Sequence, residues 1–237
     1  MNKIVGIVFA SVFLVACGGG GGGSTPAQSQ AVQSFAGIYT GNVFAAGQTE
    51  SAVGLITSDN RVVIIDADTL ETFVGTISGN SLSGTLFSSI TTPLSAQINS
   101  SSGNNISGTY STSAGGGQFS LNADSALYNR PSSLSKLEGV WVDAFFTNIS
   151  GTSTWVIQAN GSFTVSTTGG CTASGTFSLI NTSNNEYQLV INVTNCWTLN
   201  GSYSGLAVLS DSVFMDDTLT IVFNNSDFAV ISEPIRQ

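Results

Sequence analysis

The chain has 237 residues, only 8% of them charged, with five Lys and Arg, 14 Asp and Glu, no His and a net charge of −9. The acidic balance argues against binding to nucleic acid and against adsorption to anionic lipid headgroups. Without His, a Ser-His-Asp or Cys-His arrangement and an imidazole-based zinc site are excluded. No Gly-x-Ser-x-Gly elbow or phosphate-binding loop is present either. We therefore predict no enzyme activity, no catalytic residue, no metal site and no cofactor.

The first 16 residues are typical of an export signal. Lys3 supplies a positive start, and residues 4–15 form an apolar run that is shorter than the ~20 residues a membrane-spanning helix needs. The sequence Leu14-Val15-Ala16-Cys17 resembles the lipobox of bacterial lipoproteins, which implies that the Cys17 thiol carries a diacylglycerol. Acyl chains such as palmitate would then anchor the protein to a membrane. The alternative is an ordinary signal peptide whose cleavage site falls beside a cysteine.

Residues 17–33 have the composition of a flexible tether. Gly18 to Gly23 is an unbroken glycine run, and uncharged small and polar residues follow it; such a segment cannot bury a core. The run resembles the tethers of surface-displayed lipoproteins such as factor-H-binding protein of pathogenic neisseriae. Gly18, where inner-membrane lipoproteins of enteric bacteria carry Asp, favours the outer membrane.

An internal repeat divides the remaining chain into two domains. Phe35–Thr40 recurs about 100 residues later as Leu137–Val142, a spacing of the size of one small β domain. The stretch Asn129–Ser135 before the second copy has linker composition, with three Ser and one Pro, and the boundary is expected near Pro131. We therefore predict a first domain at residues 34–129, a linker at 130–136 and a second domain at 137–233.

Alternating apolar and polar residues predict antiparallel strands in both domains. A polar turn joins Ser51–Thr57 to Arg61–Asp66, and Asn160-Gly161, a strong hairpin signal, joins two later runs. Further strands are predicted from the runs Glu186–Val193, Tyr203–Leu209 and Leu219–Phe223. No sustained helical period occurs, so the fold class is all-β, with two tandem β-meanders that each close into a small barrel or a sandwich.

A short pattern of a small polar residue, Gly, a hydroxyl residue and an apolar residue recurs in both domains. We expect its glycine to open a strand after a turn and the aromatic residue that ends three of the copies to point inward. The four copies are Ser83-Gly84-Thr85-Leu86, Ser107-Gly108-Thr109-Tyr110, Ser174-Gly175-Thr176-Phe177 and Asn200-Gly201-Ser202-Tyr203.

Two cysteines remain once Cys17 is assigned to lipid, namely Cys171 and Cys196. An even pair in an exported chain predicts a disulfide. Closing a loop of about 26 residues is worth ~3 kcal/mol in the chain-entropy model. The alternative is two reduced, buried thiols.

The acidic residues offer two weak alternatives to a purely structural role. Asp66 with Asp68, or Asp216 with Asp217, could supply the carboxyl pair of a glycosidase, but each pair falls where a strand is expected to end. The segment from Asp66 to Glu71 carries oxygen ligands for calcium yet lacks the spacing of a calcium-binding loop. We interpret it as an acidic hairpin tip.

The three tryptophans could form a platform for a carbohydrate ring, or they could pack inside the fold. Trp141 and Trp155 lie in apolar strand patterns, which favours core packing. Trp197 directly follows Cys196, and we expect it to pack against the disulfide.

The body of the chain also resembles a group of proteobacterial outer-membrane lipoproteins. The resemblance rests on Gly37–Gly41, Gly139–Trp141, and Gly170–Phe177 with the later Cys196, and it covers residues 35–232. It implies the two-domain plan and the disulfide, and it carries no active site.

These observations predict a lipid-anchored cell-envelope protein at the outer membrane that binds a protein or glycan partner. The alternative is a periplasm-facing structural or assembly accessory. A membrane-spanning barrel is disfavoured because the predicted strands are shorter than the ~9–11 residues such strands need. The partner, the face of the membrane and the oligomeric state are left open by the sequence.

Overall fold

The computed structural model describes residues 34–88, 91–102, 104–143 and 151–237. The predicted signal peptide, Cys17 and the tether at 17–33 lie outside the described residues. Within the described ranges, no helix is long and apolar enough to cross a membrane. The chain is all-β, as predicted from the alternating pattern, with two short 3-10 turns at Leu134–Lys136 and Trp197–Leu199.

Eight antiparallel strands of the first half close into a barrel. Consecutive strands pair along the chain, and the first strand pairs with both the second and the eighth, so the ladder has no free edge. The strands are β1 (Gly37–Ala45), β2 (Gln48–Ile56), β3 (Arg61–Asp66), β4 (Thr72–Ser78), β5 (Ser81–Phe87), β6 (Thr92–Ser102), β7 (Asn105–Thr112) and β8 (Gly115–Ala123). A one-turn helix, α1 (Ser125–Tyr128), follows.

The second half repeats the meander but closes differently. Strands β9 to β14 pair consecutively, and β15 pairs with β14. The two-residue strand β17 then pairs with both β9 and β15 and completes the ring, while β16 forms a hairpin with β15. The strands are β9 (Gly139–Asp143), β10 (Ser153–Ile157), β11 (Ser162–Thr167), β12 (Thr172–Leu179), β13 (Tyr187–Thr194), β14 (Gly201–Ser210), β15 (Thr218–Asn224), β16 (Ala229–Ser232) and β17 (Ile235–Arg236).

Three of the four recurring glycines lie inside strands, which corrects the expectation that they open them. Gly84, Gly108 and Gly175 are each the fourth residue of their strand, and Gly201 alone opens one. A Cβ atom on Gly108 would lie 1.9 Å from the Gln97 carbonyl oxygen and 2.5 Å from the Phe119 ring. Glycine is therefore used where neighbouring strands approach closely and an aromatic ring covers the gap.

The Asn160-Gly161 hairpin forms with a longer turn than the two-residue type. Only the glycine has positive φ, at 83°, and the amide of Gln158 donates to the carbonyl of Ser162 at 2.9 Å. The loop therefore has three residues with the glycine in the left-handed region, which is a common alternative hairpin geometry.

The two barrels pack side by side through apolar residues on their outer faces. Strands β1 to β3 of the first barrel meet β14 to β16 of the second. The buried members of this cluster are Ile38, Leu55, Val63, Ile65, Tyr128, Leu206, Val222 and Ile231.

A buried carboxylate lies in the same contact. The Glu186 side chain is fully buried and accepts hydrogen bonds from the amide and hydroxyl of Ser58 and from the Tyr128 hydroxyl. Nearby, the Arg61 guanidinium donates to the Gln188 side-chain oxygen at 2.9 Å. The β2–β3 turn of the first barrel is thereby joined to the β12–β13 loop of the second.

The segment between the barrels is bound to the second one. Ser132 is buried, its amide donates to the Thr182 carbonyl at 3.1 Å, and its hydroxyl donates to the Asn181 carbonyl at 2.8 Å. At the other end of the second half, Ile235–Arg236 completes the barrel although it lies beyond the boundary expected at residue 233.

Candidate functional site

The first barrel is hollow at one end. Going along β1, the inward residue Tyr39 is buried, whereas Val43 and Ala45 are half-exposed, and the same gradient runs backward along β6. Tyr39 fills the end where the chain enters, and its hydroxyl donates to the Phe35 carbonyl at 2.7 Å. The barrel is therefore plugged at this end, here called the entry end, and open at the opposite end, here called the mouth.

The mouth leads into a cavity of about 130 Å³. Its size is close to that of an engineered apolar cavity of roughly 150 Å³ that holds benzene. The apolar and aromatic lining consists of Val43, Ala45, Ile64, Phe73, Leu82, Leu86, Leu94, Ala96, Tyr110, Phe119 and Leu121. Tyr110 is the aromatic residue of one copy of the glycine pattern, and its predicted inward direction is confirmed; Leu86 of another copy also lines the cavity.

Three carboxyl groups belong to the lining, and all lie at the mouth. Glu50 is on β2 near the β1–β2 turn, Asp66 ends β3, and Glu71 precedes β4. No Lys or Arg is among the described residues that line the cavity. The site therefore combines an apolar interior with a negatively charged rim.

Glu50 and Asp66 share a hydrogen bond, and this contact separates their proton affinities. The hydrogen bond and the charge of Asp66 together raise the pKa of Glu50 to about 7. For Asp66, burial acts upward, but the hydrogen bond with Glu50 and the amides of Thr69 and Asp68 lower the pKa of the carboxyl group overall. Asp66 is thus the anionic partner, and Glu50 titrates near neutral pH.

The loop after β3 holds Asp66 in place. Its Oδ1 atom accepts from the amides of Asp68 and Thr69, each at 2.9 Å, and the Leu70 amide donates to its carbonyl at 2.8 Å. The segment forms a hairpin tip in which the Asp66 carboxylate is hydrogen-bonded to the backbone of the same loop. Across the described ranges, no group of three or more His, Cys, Asp or Glu side chains is arranged to hold a metal ion.

The other acidic pair serves the backbone and two cations. Asp216 accepts from Arg130 at 3.1 Å and pairs with Lys136 at 3.1 Å. Asp217 accepts from the amides of Ser212, Val213 and Phe214. These carboxylates are therefore occupied by contacts within the chain.

The remaining predicted residues fall in the second barrel. Cys171 and Cys196 form a disulfide that joins the β11–β12 turn to the β13–β14 loop. Trp141 and Trp155 are fully buried in the barrel core. The expectation for Trp197 is wrong: its side chain is 88% exposed and does not pack against the disulfide. Its φ of 49° places Trp197 in the left-handed region of the backbone directly after Cys196.

A second cavity, of about 210 Å³, lies where the two barrels meet. It is bordered by apolar residues of the interface, among them Leu55, Val63, Leu206 and Val222. Neither cavity was visible in the sequence, because each depends on how strands from distant parts of the chain are aligned.

Comparison with known proteins gives no match in sequence and a weak similarity in structure. No family model matches the chain, and no curated protein matches its sequence. Among solved structures, the chain is similar to the isotype 1 transferrin binding protein B from serogroup B Neisseria meningitidis. The identity is 8% and the TM-score 0.32, over 82% of this chain and 67% of that chain. A similarity of this size says nothing about what the chain binds.

Proposed function

We propose that this chain is a non-catalytic lipoprotein of the outer membrane, anchored through Cys17, which binds a cationic ligand at the mouth of the first barrel. The observation that carries the proposal is an apolar cavity whose opening is lined by Glu50, Asp66 and Glu71 and, among the described residues, by no Lys or Arg. Such a site complements a positive charge attached to a small apolar group.

The size and charge of the cavity support binding over the alternatives. A cavity of about 130 Å³ is smaller than the roughly 300–1,000 Å³ of sites that enclose a drug-sized molecule. It suits one small apolar group, such as a ring, with the charged end left at the rim. The hydroxyls of a neutral sugar could donate to these carboxylates but would bring no counter-charge to the negative rim, so a cationic ligand is favoured over a glycan.

A matched set of small probes tests the proposal. We expect benzylammonium to bind in calorimetric titrations, benzyl alcohol to bind more weakly and benzoate not to bind. Glu71→Gln should weaken the binding of benzylammonium without affecting benzyl alcohol, and Ala96→Leu should fill the cavity and weaken both. Glu138→Gln, which removes an exposed carboxylate of the second half, is the control and should change neither. Equal affinity for benzylammonium and benzoate would contradict the proposal.

The lipid anchor and the location of the protein in the cell envelope are tested separately. Palmitate labelling of cells should mark the wild-type protein and not Cys17→Ala. Protease treatment of intact cells carrying an epitope after Gln237 then distinguishes the two faces of the outer membrane. Loss of the epitope, with a periplasmic control protein intact, indicates surface display. Protection until the outer membrane is opened indicates a periplasmic body and favours the accessory role.

A further inference from the structure

The β14–β15 loop presents three consecutive large apolar side chains to solvent. Val213, Phe214 and Met215 are 78%, 74% and 76% exposed. Single exposed apolar residues are common on protein surfaces, but a contiguous exposed patch generally marks a contact with a partner or a membrane. These three residues are called the apolar tip below.

The apolar tip is held in place by the carboxylate of Asp217. This side chain accepts hydrogen bonds from the amides of Ser212 at 2.6 Å and of Val213 and Phe214 at 2.8 Å, and from the Ser212 hydroxyl at 2.9 Å. The amide of Phe214 makes the largest contribution to lowering the pKa of Asp217. The loop is thus ordered before it meets any partner, and the exposure of the tip is part of its fold.

Cations balance most of the negative charge at the base of the tip. Arg130 donates to both oxygens of Asp211 at 2.6 Å and to Asp216 at 3.1 Å, and Lys136 pairs with Asp216 at 3.1 Å. The net negative charge of the loop is therefore smaller than its three aspartates indicate. Electrostatic repulsion between the loop and a weakly charged membrane surface is reduced accordingly.

The apolar tip lies on the side of the molecule where the chain enters the first barrel. The Asp124 amide donates to the Ile38 carbonyl at 2.7 Å, which places α1 beside the start of β1. The chain leaves α1 at Asn129, and the next residue, Arg130, contacts the base of the tip. The mouth with its carboxyl groups is at the opposite end of the same barrel.

We infer that the apolar tip inserts into the lipid interface beneath the anchored protein. The inference rests on the proposed lipid anchor at Cys17, which is followed by 16 residues before Ser34. A glycine-rich linker of this length has an end-to-end distance of roughly 20–25 Å, so the tip is kept near the bilayer at high effective concentration. Insertion of the tip would direct the mouth of the first barrel away from the membrane.

Fluorescence quenching tests the insertion. A Phe214→Trp variant is made in a Trp197→Phe background, lipidated, and reconstituted into phosphatidylcholine vesicles with brominated acyl chains. We expect quenching of about half of the added emission, because an interfacial apolar face is buried ~5–10 Å into the headgroup and acyl boundary, where the brominated chains begin. The control is the protein that keeps Trp197, whose exposed ring lies at the end of the second barrel away from the tip and should not be quenched.

The outcomes separate the two proposals. If the protein does not float with the vesicles, the lipid anchor fails and the insertion fails with it. If the protein floats but the tryptophan at position 214 is not quenched and stays as accessible to aqueous acrylamide as without vesicles, only the insertion is overturned. A loss of acrylamide quenching together with quenching by the brominated lipid supports it.

Discussion

Glu50 and Asp66 share a hydrogen bond at the mouth of the first barrel, and a shared hydrogen bond between two carboxyl groups requires that one of them holds a proton. The proton resides on Glu50, because the backbone amides around Asp66 favour the ionised form of that side chain. The mouth therefore changes its charge near neutral pH. At this scale the chemistry of the site depends on a residue that no local sequence pattern marks.

This pair makes ligand binding pH-dependent. With its pKa raised to about 7, Glu50 gains a negative charge as the pH rises from 6 to 8, and the affinity for benzylammonium should increase by up to about fivefold, as expected for an exposed ion pair. Stability should change in the opposite direction. A carboxyl group whose pKa is raised in the folded state binds its proton more tightly in the folded than in the unfolded protein. The contribution of Glu50 to the free energy of unfolding is therefore present at low pH and lost as the pH rises through 7.

Calorimetric titrations of benzylammonium across this pH range provide the measurement. Glu50→Gln should bind with an affinity that hardly changes with pH, and Glu138→Gln should behave like the wild-type protein. An unchanged pH profile in Glu50→Gln would show that another group is responsible.

At the scale of single elements, the strands were predictable because each is encoded by its own alternating pattern. The run Glu186–Val193 is an example: Tyr187, Leu189, Ile191 and Val193 all face the core of the second barrel. The acidic tip after β3 was also recognised. The closing strand Ile235–Arg236 was not, since two residues carry no pattern and its position follows from pairing with β9 and β15.

The cavity escaped prediction for a similar reason. Glu50 meets Asp66 only because β2 and β3 pair with Ala52 opposite Asp66, and strand alignment is a property of the sheet. The exposure of Trp197 was missed because a positive φ at tryptophan is unfavourable and is imposed by its surroundings.

The disulfide acts on the two loops at the far end of the second barrel. Cys171 and Cys196 are 25 residues apart, and we expect the double variant Cys171→Ala/Cys196→Ala to lose about 3 kcal/mol of unfolding free energy by the loop-entropy argument. Urea denaturation provides the measurement, with the reduced wild-type protein as a second sample that should match the variant. If reduction leaves the wild-type midpoint unchanged, the two cysteines are not joined in the exported protein.

At the scale of the whole molecule, we propose residues 34–129 and 137–233 as two domains, with the short strand β17 added to the second. No strand pairing joins the two barrels in the described ranges. They are nevertheless coupled through a buried apolar cluster and through Glu186, and the segment between them is hydrogen-bonded to the second barrel. Cooperative unfolding of the two barrels is the expected result, because separating them would expose the cluster and leave the carboxylate without its partners.

Glu186 provides the test of this coupling. Its carboxylate accepts from the Ser58 amide at 2.9 Å and from the Tyr128 hydroxyl at 3.1 Å, and both donors lie in the proposed first domain, residues 34–129. Burial, followed by the nearby charge of Glu186, raises the pKa of the Tyr128 hydroxyl, so the tyrosine stays a hydrogen-bond donor. Glu186→Ala would leave the donors of Ser58 and Tyr128 unsatisfied, and we expect a loss of about 2–4 kcal/mol of unfolding free energy.

The loss of unfolding free energy in Glu186→Ala should come from a weaker contact between the barrels, with both barrel cores unchanged. Urea denaturation of the wild-type protein should therefore give one transition, and that of Glu186→Ala two, with the second close to the wild-type midpoint. Tyr128→Phe removes one of the donors, and its loss of unfolding free energy should be smaller than that of Glu186→Ala. Glu138→Ala should match the wild-type protein. A single transition shifted to lower urea in Glu186→Ala would instead mean that the two barrels form one indivisible folding unit, and the proposed division of the chain at residues 130–136 would have to be abandoned.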